Sequence, residues 1–142
     1  MCNEIMKKEV QEAIAAGERA LQSLYAAEEK LKSAGNWGVF DMLGGGFFSS
    51  YIKHSKIKEA EILLEQAKAE LQAFQRELKD VGGTLHLQVE VGNFLTFADF
   101  FFDGFVADYL VQNKISDARE EIEDGIYHVR TILENLYRKL EV

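Results

Sequence analysis

Residues 55–81 read SKIKEAEILLEQAKAELQAFQRELKDV. Within them Ile57, Ala60, Leu64, Ala67, Leu71, Phe74, Leu78 and Val81 recur at alternating steps of three and four. That spacing gathers apolar side chains on one helix face, as in the seam of a coiled coil. The intervening Glu, Lys, Gln and Ala are strong helix formers. Two more stretches keep the same step. From about Glu4 to Ser33 it runs through Val10, Ile14, Gly17, Leu21, Leu24, Glu28 and Leu31, with Gly35 placed as a C-terminal stop. From about Asn113 onward it runs through Ile115, Ala118, Ile122, Gly125, Val129, Ile132 and Leu136. Three striped helices must bury their stripes together. The expected fold is all-α, an elongated antiparallel bundle of three long helices with short helical or extended connectors. Ala and Gly in the seams let two helices approach closely.

Composition agrees. Proline is absent from all 142 residues, which favours long helices. Apolar residues make up 47%, too many for a disordered chain, and the length suits one domain. Net charge is −8, so nucleic-acid binding lacks its main electrostatic term. The single cysteine, Cys2, cannot form an intrachain disulfide, which points to a reducing, cytoplasmic setting. The start, MCNEIMKKEV, has no apolar core of a secretory signal. The most apolar window, 91–111, carries Asp99, Asp103 and Asp108, which argue against a transmembrane segment. Just before it, Leu85, Leu87, Val89 and Val91 alternate with His86, Gln88 and Glu90, the period-two signal of a strand or an extended connector.

An internal match at an offset of 58 residues organises the remainder. Asp41 aligns with Asp99, Gly46 with Gly104, Phe47 with Phe105 and Tyr51 with Tyr109. Lys56 aligns with Lys114, Ile57 with Ile115 and Ala60 with Ala118. These are seven identities in the twenty positions 41–60, where roughly one or two arise by chance. The match implies a duplicated unit, an aromatic turn followed by a long helix, packed about a pseudo-twofold axis. The single domain 1–142 then divides into an N-terminal helix (1–34), one repeat unit (35–80) and a second (93–142).

Asp41 and Asp99 sit among aromatics, where a bare carboxylate is costly unless paired. Lys56 and Lys114 recur with them. The expectation is a swapped pair of buried or half-buried ion pairs, Asp41 with Lys114 and Asp99 with Lys56, or else helix N-caps. Asp103, His54 and Trp37 complete the candidate binding or ion-pair site. Trp37, Phe40, Phe47, Phe48, Phe94, Phe97, Phe100, Phe101, Phe102 and Phe105 concentrate at one presumed end, as a second core or as a patch for a partner.

The run Gly35-Asn36-Trp37-Gly38-Val39-Phe40-Asp41-Met42-Leu43-Gly44-Gly45-Gly46, followed by Lys53, His54, Ser55 and Lys56, has a specific look. With Phe97–Gly104 and Lys114-Ile115 it resembles a family of uncharacterised bacterial helical proteins bearing a W-x-x-x-D-x-x-G-G-G core followed by K-H-S. The resemblance covers about a third of the chain. It implies a helical fold and a bacterial cytoplasmic origin, and it brings no activity.

Motifs for chemistry are sparse. Gly44–Gly46 lack the Lys-Ser/Thr of a phosphate loop, and close approach of the turn to the paired repeat is their structural role. No residue three before a histidine is Glu, so the di-iron bundle pattern is missing. Asp124 and His128 share a helix face as a solvated pair or a weak ion ligand. Zinc sites and cofactor motifs are not legible, and catalysis would need a cluster of perturbed titratable groups in a cleft. The expected function is a non-enzymatic helical protein-interaction module whose partner is another protein or, by self-association, a second copy of the chain. The alternative is a small-ligand or lipid-binding protein with its site between the two Asp/aromatic units.

Overall fold

The computed structural model describes residues 2–40, 47–81, 88–112 and 114–141. Among them are five helices: α1 (Cys2–Phe40), α2 (Phe47–Val81), α3 (Gln88–Phe102), α4 (Phe105–Val111) and α5 (Ile115–Glu141). The chain is all-α. α1 and α2 are the two long helices, at 39 and 35 residues, and α5 has 27. At 1.5 Å per residue α1 is roughly 58 Å long.

The helices join in a ring. α1 packs on α2 and α5, and α3 packs on the same two from the other side. α4 continues α3 and also lies on α5. α1 runs antiparallel to both neighbours. On α2, Gly17 meets Phe74 while Lys30 reaches Glu59; on α5, Gly17 meets Leu133 while Glu28 lies beside Glu123. Phe94, near the start of α3, meets Phe74, near the end of α2, so these two form a helical hairpin. The path is therefore up, down, up, down, with α3 and α4 sharing one leg. That leg is what the sequence suggested as a connector. The alternation that suggested a strand over 84–91 gives way to helix from Gln88, and 84–87 lie outside the described residues.

The seams of α2 and α5 are buried as their spacing requires, from Ile57 to Val81 and from Ala118 to Leu136. The seam of α1 differs in detail. Val10, Ala13, Gly17, Ala20, Leu24, Ala27, Leu31 and Ala34 form its most enclosed line, while Leu21 and Glu28 are only half-buried. Alanines take the enclosed positions because α1 is gripped from two sides and large side chains would hold its neighbours apart. Ser23 is buried among them, and its hydroxyl donates to a Glu70 carboxylate oxygen at 2.5 Å on α2.

At Gly17, α1 approaches α2 and α5 closely. A Cβ there would stand 2.8 Å from both the Leu133 methyl and the Phe74 ring. Phe74 is fully buried and stacks edge-to-face on Phe94, with centroids 5.3 Å apart. One layer thus joins all four legs. A second close approach has the Phe97 ring of α3 seated against Gly125 of α5. The aromatics of α3 accordingly line the interior: Phe94, Phe97 and Phe101 are buried and Phe100 and Phe102 half-buried, instead of gathering at one end.

Gly104 separates α3 from α4 with φ of 87°. Its N–H donates to the Phe101 carbonyl and its own carbonyl accepts from Asp108, so one residue ends a helix and begins the next. No atom lies within 4 Å of the place a Cβ would occupy. Its requirement is therefore the left-handed dihedral and not the close approach expected for the glycine turns. α2 and α4 begin at residues matched by the offset of 58, Phe47 and Phe105. α2 then runs unbroken, whereas its counterpart stops at Val111 and resumes at Ile115.

Three glycine substitutions separate these roles in denaturant titrations. Gly35→Ala, in open helix surface, gains roughly 0.5–1 kcal/mol from helix propensity. Gly17→Ala loses about 1 kcal/mol, because overpacking of about 1–3 kcal/mol outweighs that gain. Gly104→Ala loses roughly 1–2 kcal/mol through its dihedral alone.

Candidate functional site

Of the residues nominated from sequence, Asp99, Asp103, Lys114, Lys56 and His54 lie among those whose side chains are described. Asp99 is exposed on α3, Asp103 is exposed in the turn before Gly104, and Lys114 is exposed ahead of α5. His54 is exposed on α2. The expected Asp99–Lys56 pair does not form. Lys56 Nζ instead lies 3.8 Å from Glu59, one turn along α2, and Lys30 of α1 reaches the same carboxylate at 3.0 Å. The hydrogen bond from Lys30, aided by the charge of Lys56, holds Glu59 below the ordinary carboxylate range. Asp99 avoids burial by facing outward while Phe97, Ala98 and Phe101 face in. Asp41, the Gly44–Gly46 turn and the Trp37 side chain lie outside the described residues, and with them the Asp41–Lys114 pair.

Other charged groups meet between helices. Glu28 of α1 faces Glu123 of α5; partial burial, then the charge of Glu123 and a hydrogen bond to it, raise the Glu28 carboxyl above its ordinary value. Arg119 and Lys32 offset this in part. At the other end of α1, Glu9, Glu12 and Glu77 bring carboxylate oxygens within 4.8 Å of one another. Burial, then repulsion from Glu12, Asp80 and Glu9, raises Glu77. These oxygens are the described group closest to a metal-ligand set. Hard cations take six or more oxygens, and three carboxylates alone form a like-charge cluster. The Asp124–His128 pair forms as its spacing predicts, at 3.4 Å, with the His128 ring 6.2 Å from that of Phe97.

An open groove lies on the outer side of α5. Glu123, Ile126, Tyr127, Arg130, Thr131 and Glu134 line it, and its volume is about 530 Å³. Its floor is apolar, since Ile126 is buried, and Tyr127 stands beside it 65% exposed. Charged side chains rim it, and the Thr131 hydroxyl is tied to the Tyr127 carbonyl at 2.8 Å. Such a surface can recognise a helix. It pairs no nucleophile with a base. The apolar stripe does not reveal this groove, because these positions fall beside the α5 seam. The available signal was Ile126-Tyr127, an apolar pair reaching past the stripe.

Glu28 has a raised pKa in the fold, so the folded state binds the extra proton above the ordinary Glu value of 4.5. Ionising Glu28 therefore costs stability as pH rises through that window, and the cost vanishes below it. Glu28→Gln should stabilise the protein at pH 7 by roughly 0.2–0.5 kcal/mol, the scale of a like-charge surface pair. Thermal melts at pH 7 and pH 4 check this: the gain disappears at the lower pH.

No protein-family model, curated protein or solved structure matches this chain.

Proposed function

We propose that the protein is a non-enzymatic helical interaction module that binds protein through the outer face of α5. The observation that carries this reading is the open groove over Ile126 and Tyr127, rimmed by Glu123, Arg130 and Glu134. Tyrosine and arginine dominate the energetic centres of protein interfaces. A shallow trough along one helix suits another helix better than an enclosed small molecule. The ligand-binding alternative rests on Asp41 and Trp37 and on a buried Asp99. Asp99 is exposed, so the observations favour the interaction reading.

Units 35–80 and 93–142 are read as a duplication about a pseudo-twofold axis. The matched helix starts, Phe47 and Phe105, and the in-phase seams of α2 and α5 support it. Among the described residues no helix is long and apolar enough to cross a membrane. The lone cysteine and the W-x-x-x-D resemblance support a bacterial cytoplasmic setting.

A photo-reactive amino acid in place of Thr131 tests the interaction surface in cells producing the chain. Cross-linked protein adducts are expected, and adding Tyr127→Arg should reduce them at least about tenfold, as loss of a central anchor does. Illumination that yields no protein adduct overturns the reading.

A further inference from the structure

We propose that the partner seated on α5 is a second copy of this chain, its own α5 lying antiparallel across a twofold axis near Tyr127. This rests on the interaction reading and names its occupant.

The argument is one of charge order. Along one line of α5 stand the half-buried Arg119 and the exposed Glu123, Tyr127, Arg130 and Glu134, about one helical turn apart. Read from the other end, the same line offers acid where the first offers base. Sliding two copies antiparallel so that Ile126 faces Tyr127 sets Glu123 against the second copy's Arg130. The same register sets Arg119 against the second copy's Glu134. The twofold doubles each contact, and like charges are not opposed. The apolar step, Ile126 with the exposed Tyr127 ring, falls at the axis, where interfaces concentrate their binding energy.

Two further observations fit. The chain carries a net charge of −8, so copies repel one another wherever their surfaces are plainly acidic. The face of α5 that alternates in sign is where that repulsion is locally cancelled. Glu123 is also crowded by Glu28 within its own chain. An arginine arriving from a second copy relieves that crowding without rearranging the bundle.

Sedimentation velocity over a concentration series, with matched circular dichroism, tests the proposal. The wild-type chain should pass from 16.1 kDa to twice that mass at micromolar concentration. Glu123→Arg and Arg130→Glu, each alone, place like charges together twice across the axis and should weaken dimerisation about tenfold or more. The double variant restores opposite pairing in the reversed sense and should recover the wild-type constant to within about threefold. Independently, Tyr127→Cys in a Cys2→Ser background should give a disulfide-linked dimer under mild oxidation. A chain that stays monomeric to millimolar concentration overturns the proposal, as does a double variant no better than the singles. If a monomeric chain still forms Thr131 adducts with other proteins, self-pairing fails and the interaction reading stands. If no adduct forms at all, both fail.

Discussion

The bundle turns on a ring placed where another helix lacks a side chain. Phe74 of α2 lies over Gly17 of α1, and any Cβ at that glycine would meet it. Leu133 of α5 closes in from one side and Phe94 of α3 from the other. Every leg of the bundle therefore touches at one level, and the interhelix distances there are set by what the glycine leaves out. Phe97 against Gly125 repeats the device between α3 and α5. Each large aromatic needs its notch, and each notch would be a void without its aromatic. The alanines of α1 extend the principle: Ala13, Ala20, Ala27 and Ala34 are all fully buried.

Much of this is visible in the residues themselves. The seams of α2 and α5 follow from spacing alone: Ile57 to Val81 and Ala118 to Leu136 are buried at the expected steps. For α1 the step of three and four is correct, but Leu21 and Glu28 stand in the sequence pattern where Ala20 and Ala27 are enclosed. Size is a poor guide to burial when a helix is held between two others. α3 was the least legible element. Residues 94–102 read FLTFADFFF, apolar at nearly every position, so no helical period stands out against a polar background. The alternation just upstream then dominates the reading. Only the structure shows Phe94, Phe97, Ala98 and Phe101 to be one inward face.

The nominated Asp99–Lys56 pair failed for a related reason. Matching residues at an offset of 58 carries the assumption that matched residues stand in matched surroundings. Lys56 lies within the unbroken α2, whereas Lys114 lies between α4 and α5. The backbone around the two lysines differs. Charge in this protein sits beside the seams, as in Lys30 with Glu59 or Glu28 against Glu123, and tunes a structure that the apolar layers already specify.

The left-handed residue at Gly104 divides one leg of the four into helices of 15 and 7 residues. Each end of a helix leaves backbone groups that no further turn can satisfy, so a divided rod carries twice the number of ends. The leg is also the one with least mutual support, since a seven-residue helix is far below the length that holds itself together in water. Cooperative units of a fold open in order of their local free energy. Among the described helices, the amides of 105–111 are thus expected to trade their protons with solvent before those at the centres of α1 and α2, and this corner can loosen while that long pair stays closed.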